Sequence, residues 1–131
     1  MLPGPPSPLP SSHPTFVELP PFERRREGYL KDDEYLALQS MLLDKPDVGD
    51  VISGTGGLRK VRYEDKRRGK GKRGGMRVIY YHWVSGQEFW MFTVYSKGEV
   101  SDLSSSERKA FRILLESELE ERSSSMKRKI R

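Results

Sequence analysis

The sequence predicts an α+β domain with helices on one face of an antiparallel sheet. Three observations carry that expectation. A helical stripe comes first, three strand-like segments follow it, and a capping box then opens a last helix. Runs of one element type followed by runs of another point to this class, whereas regular alternation would point to a parallel sheet.

The elements follow in order. Six prolines in the first fourteen residues (Pro3, Pro5, Pro6, Pro8, Pro10 and Pro14) make residues 1–14 an extended tail. A ligand for an SH3-like module is its functional alternative. Thr15 to Leu19 has the makings of a short strand, stopped by Pro20-Pro21, and Pro21 to Tyr29 reads as a short helical turn. A clearer helix runs from about Asp33 to Asp44. Asp32 is its expected cap, Asp33 and Glu34 suit the positive end of its dipole, and Pro46 lies beyond its end. Tyr35, Leu38 and Leu42, flanked by Leu36 and Met41, form its apolar stripe.

After Gly54, Gly56 and Gly57 come the strand segments Leu58–Tyr63, Met76–Trp83 and Phe89–Ser96, the last two joined through Ser85-Gly86 as a hairpin turn. Ser104-Ser105-Ser106-Glu107 then matches a capping box. Phe111, Leu114, Leu115 and Leu119 give the last helix its stripe, Ser123-Ser124-Ser125 is expected to end it, and residues 123–131 form a basic tail. Residues 15–122 are thus the domain proper.

Alternation along the strands assigns faces. Val61 and Tyr63 share one face, Lys60 and Arg62 the other, and Arg77 points opposite to Val78. The simplest assembly packs Val61, Val78, Phe92 and Val94 on the helices. The other face then carries Lys60, Arg62, Arg77 and Tyr95, and is free for a ligand.

Charge shows what kind of ligand. The 131 residues carry a net charge of +5, with 34% hydrophobic and 33% charged residues. Between Arg59 and Arg77, ten Lys/Arg face only Glu64 and Asp65, a local net of +8. Pro20 to Asp50 is at −3 by the same count. Cations concentrated this way attract a polyanion and speed encounter with it. The run Lys66–Gly75 (KRRGKGKRGG) is too polar for a core. A solvated hairpin loop is the bland reading; glycines between cations also let backbone approach phosphates closely.

Other chemistries are poorly served. There is no cysteine, so disulfides, thiolate nucleophiles and thiolate metal sites are excluded, and a reducing cytoplasm suits the chain. No apolar run approaches the ~20 residues that span a bilayer. The first residues lack the basic-then-apolar order of a secretory signal. Gly69 and Gly74 have the span of a P-loop, but Gly75 and Met76 stand where Lys and Ser/Thr are required. His13 and His82 do not make a metal site, no cofactor is expected, and no nucleophile elbow is present. His82, beside Trp83 on a strand, reads as structural. Tyr95 either packs or, on the cationic face with Lys97 nearby, stacks on a base or exchanges a proton.

Three stretches carry a resemblance: GTGGLRKVR, GKGKRGGMRVIYY and TVYSKGEVSDL, in that order, followed by SSSERKAF. Together they resemble the HigB-like branch of the RelE/ParE toxin superfamily, over roughly Thr15 to Arg122. The resemblance implies a small RelE-like α+β toxin with two N-terminal helices on an antiparallel sheet and a C-terminal helix. It implies a cognate antitoxin, itself DNA-binding, and an RNA target, mRNA on the ribosome. The ParE branch shares the fold but poisons DNA gyrase, so fold alone does not choose. Arg77 matches the arginine opening the central strand in the RNA-cutting branch, and Lys97 the basic residue after the last strand.

The implied chemistry is metal-independent cleavage, in which the RNA's own 2′-OH attacks the adjacent phosphate. Arg62, Arg73 and Arg77 would stabilise the added charge. Tyr95 or Lys97 would act as acid or base, with a pKa lowered by neighbouring cations. Arg59, Lys60, Lys66, Arg67, Arg68, Lys70 and Lys72 would hold RNA. Lys60, Arg62 and Arg77 are the strand cations suited to exact placement, while the loop reads as a docking arm with Arg73 at its boundary. A noncatalytic RNA- or ribosome-binding module is the alternative of a different class. Self-repulsion of the +8 segment also predicts an acidic partner that relieves it.

Overall fold

The computed structural model describes residues 15–63, 75–96, 98 and 102–130, with side chains as far as residue 125. Its elements are β1 (Thr15–Glu18), α1 (Pro20–Tyr29), α2 (Asp32–Asp44), β2 (Asp50–Val51), β3 (Arg59–Tyr63), β4 (Met76–Trp83), β5 (Glu88–Ser96) and α3 (Ser105–Ile130). The α+β class is as expected.

Pro20-Pro21 does more than stop β1. Proline at the first helical positions lacks only an amide that would have no partner there, so the pair opens α1. The segment expected to be a short turn is a ten-residue helix that buries Phe22 and Tyr29. In α2 the stripe Tyr35, Leu38 and Leu42 is buried as the spacing requires. Its cap lies one residue earlier than expected. Asp32 is inside the helix, its carboxylate 2.7 Å from Arg26, while the Lys31 amide donates to Glu34 at 3.0 Å.

The strands form one sheet in the order β1-β5-β4-β3-β2. Four of them are antiparallel, as expected, but β1 runs parallel to β5. Parallel neighbours need a long connection, and here nearly the whole domain lies between them. At the β4–β5 turn, a Cβ on Gly86 would lie 2.1 Å from the Trp83 ring, so any larger residue there would have to displace the indole.

One irregularity changes the expected faces. Ile79 pairs with Thr93 but Tyr80 pairs with Met91, leaving Phe92 as the extra residue of a β-bulge. Strict alternation would have placed Trp90, Phe92 and Val94 together. Instead Val94 joins Val61, Val78 and Met91 under α1 and α2, while Trp90 and Phe92 point the other way.

That second face is also a core, contrary to the expectation of a cationic surface free along its length. Leu58, Ile79, Trp83, Trp90, Phe92 and Leu103 pack there with Leu115 of α3, and Phe111 meets Phe92 edge-on at 5.9 Å. Burying each such side chain stabilises by roughly 1.5–3 kcal/mol, enough to hold a helix over most of the face. The capping box is realised in both directions, Ser104 amide to Glu107 carboxylate at 2.9 Å and Glu107 amide to Ser104 hydroxyl at 3.1 Å. The helix does not stop at Ser123-Ser124-Ser125 but continues to Ile130. Serine is only modestly less helical than alanine, and propagation through it is cheap once a helix is formed. Near this end, Arg122 bonds Glu88 at 3.4 Å and lies 5.9 Å over the Trp90 ring.

Candidate nucleic-acid interface

Strand register brings three expected site residues into one row. Arg62 pairs with Arg77 across β3–β4, and Arg77 pairs with Tyr95 across β4–β5. Cross-strand partners share a face, so all three point away from α1 and α2, toward the end of the sheet where α3 begins. Lys60 lies on the same face, in the neighbouring row with Ile79 and Thr93.

Their environments differ sharply. Arg62 is exposed, whereas Arg77 and Tyr95 are 3% and 4% exposed. The Arg77 guanidinium donates to the carbonyls of Gly75 and Met76, each at 3.4 Å. Burial, reinforced by Arg62, lowers its pKa from the ordinary arginine value, and Tyr95 partly offsets this. An arginine starts so high that it stays cationic at neutral pH. The Tyr95 hydroxyl is buried without a hydrogen-bond partner among the described residues. Burial pushes its pKa up, Asp102 adds to that, and Arg77 pulls the other way without winning. The expectation of a phenol acidified by its neighbours is therefore reversed. The Tyr95 hydroxyl is held in its neutral form at neutral pH.

Two residues that sequence reasoning passed over complete the surroundings. Asp102 lies 3.6 Å from the Lys60 ammonium and 3.4 Å from the Arg108 guanidinium. It accepts from the Leu103 amide at 2.8 Å, and that bond, with Lys60 and Arg108, holds its pKa below the ordinary aspartate value against desolvation. Both flank the capping box at Ser104, which ties them to the start of α3. Which strand cation they meet depends on how that helix docks. Lys60, Arg62, Asp102 and Arg108 then line an open depression of about 230 Å³ between β2, β3 and the start of α3.

Arg59 stands elsewhere. It pairs with Tyr80, on the face covered by α1 and α2, and donates to the Gly49 carbonyl at 2.7 Å while lying 3.6 Å from the Asp47 carboxylate. Tyr80 ties the same loop, accepting from the Gly49 amide at 3.0 Å and donating to the Pro46 carbonyl at 2.7 Å. Arg59 thus clamps the connection between α2 and β2. His82 stacks on Phe89 at 4.6 Å toward the other end of β4, and burial lowers its pKa. Arg73, Lys97, Lys66, Arg67, Arg68, Lys70 and Lys72 lie outside the described residues. Among the described residues no group of three or more His, Asp or Glu is placed to hold a metal, and no helix is long and apolar enough to cross a membrane.

In chemical terms the face offers an exposed cation, Arg62, beside the half-buried Lys60, a buried fixed charge behind them and a neutral phenol beside that charge. No family model matches the chain. Among solved structures it is similar to a mutant of the E. coli toxin RelE in the free state, with a TM-score of 0.46 and 13% identity over 68% of this chain and 88% of that one. A likeness at that level assigns neither family nor activity.

Proposed function

We propose that this chain is a toxin of the RelE/HigB kind, which binds mRNA on the ribosome and cuts it without a metal. The observation that carries the proposal is the row Arg62–Arg77–Tyr95, an exposed cation, a buried cation and a protonated phenol aligned across three strands. Arg62 and Lys60 meet the phosphate first. As the 2′-OH gives up its proton to solvent water and its oxygen bonds to phosphorus, Arg77, fixed in a low-dielectric position, stabilises the added charge until the bond to the 5′-oxygen breaks. Tyr95, neutral at physiological pH, gives its proton to the departing 5′-oxygen. Its hydroxyl is covered in this arrangement, so donation requires the side chains around it to part when RNA binds. The stretches quoted above support the same reading, and so does the local excess of cations, which calls for an acidic antitoxin.

The covered hydroxyl also favours a second reading, a noncatalytic RNA- or ribosome-binding module. Inducing the protein in cells and mapping mRNA 5′ ends, with and without translation, separates the two. Cleavage that requires translation and is lost in folded Arg77→Ala and Tyr95→Phe variants is expected. Intact transcripts with arrested translation would favour the binding module, and DNA double-strand breaks without mRNA cleavage a gyrase poison.

A further inference from the structure

Beside the depression at Lys60 and Arg62 lies a second groove of about 290 Å³, lined by Ser53, Gly54, Ser105, Arg108, Lys109 and Arg112. The two share Ser53 and Arg108, so they adjoin at that pair and make one track if a strand crosses it. Their charge differs. The first balances Lys60, Arg62 and Arg108 against Asp50 and Asp102, whereas the second has three cations and no carboxylate in its lining. The lining of the second groove is therefore the more cationic, with Asp102 and Glu116 just outside it paired to Arg108 and Arg112.

We infer that a single RNA strand follows this track, passing from Lys60 and Arg62 over Arg108 to a second phosphate position held by Lys109 and Arg112. The inference rests on the RNA-directed reading of the Arg62 face and extends it. Arg108 stands at the divide, 3.4 Å from both the Asp102 carboxylate and the Ser53 hydroxyl. Arg112 is one turn further along the same face of α3, a rise of about 6 Å, comparable to one nucleotide step of an extended strand. Lys109 and Arg112 are exposed, and the ion pair of Arg112 with Glu116 is long, at 3.9 Å, and screened by solvent. A phosphate can displace it. On the opposite wall Gly54 has φ +79, and nothing lies within 4 Å of where a Cβ would stand, so backbone borders the groove and leaves room for a sugar. The donors here are side chains within the helix, not the free amides of its first turn. Guanidinium and ammonium groups with neighbouring serine hydroxyls are a phosphate-binding set.

The test uses the full chain and fluorescent 2′-O-methylated RNA strands, which are not cut, in a short and a doubled length. Affinity is measured across a salt series. For Lys109→Gln/Arg112→Gln, the log–log salt slope for the longer strand should fall by about 1.4, and its affinity at low salt by about tenfold. The short strand should change little. Arg62→Gln should weaken both lengths, and unaltered melting curves confirm that the variants fold. An unchanged slope for the longer strand in the double variant, with Arg62→Gln still weak, overturns the track and leaves the Arg62 site standing. If Arg62→Gln is silent as well, the RNA reading of the whole face falls. Loss of polyglutamate binding with RNA binding intact would overturn the inference in favour of an acidic protein partner.

Discussion

Arg77 and Tyr95 stand directly opposite one another on β4 and β5, and both are almost wholly buried. A charged group and a phenol with no hydrogen-bond partner among the described residues make this buried pair an unusual use of a small domain's interior. Polar groups placed there cost stability unless hydrogen-bonded.

The hydroxyl of Tyr95 gives the cleanest separation of stability from function. Removing it as Tyr95→Phe takes away a buried group with no hydrogen-bond partner among the described residues, so stability should hold or rise, by up to about 1–3 kcal/mol. RNA cleavage should nevertheless fall. Urea melts and 5′-end mapping on the same variant check both halves. A clear loss of stability would mean that the hydroxyl is bonded in solution.

Arg62 and Arg77 should differ although they are neighbours in one row. Arg62→Ala alters an exposed side chain and should change stability by less than about 0.5 kcal/mol while weakening RNA binding. Arg77→Ala opens a buried space and leaves the Gly75 and Met76 carbonyls short of a donor, at about 1–3 kcal/mol. It should also slow cleavage on the order of a hundredfold. Melting curves and single-turnover rates for both variants test the contrast.

Stability should respond to pH at two ends. The depressed pKa of Asp102 means a contribution present above its unfolded pKa and lost as pH falls through the lower folded value. The difference between parent and Asp102→Asn should therefore narrow below about pH 4. Tyr95 has the opposite sign, because its raised pKa means that the unfolded chain ionises first. Its contribution should fade above about pH 10, and Tyr95→Phe should flatten that loss. Denaturant midpoints across pH read both effects.

The bulge at Phe92 predicts which core its side chain belongs to. Phe92→Ala should cost about 3–5 kcal/mol. In double-mutant cycles it should couple with Leu115→Ala of α3 and add simply with Leu38→Ala of α2. The reverse pattern would place Phe92 under α1 and α2, where unbroken alternation would have put it.

Much of this architecture is written in local pattern. The stripe of α2, the capping box at Ser104, the limits of β4 and the shared face of Lys60, Arg62, Arg77 and Tyr95 all follow from periodicity and a few terminal residues. Those are properties of neighbours along the chain, and the sequence alone was enough for them. The two cores, the direction of Phe92, the company of Asp102 and Arg108, and the upward pKa of Tyr95 were decided only in three dimensions. A single extra residue in the ladder reverses the faces beyond it, and nothing local to Phe92 announces the register of β4. Burial is likewise set by whatever packs above a side chain, here α3, which is why a phenol expected to be acidified by its cations is instead held protonated.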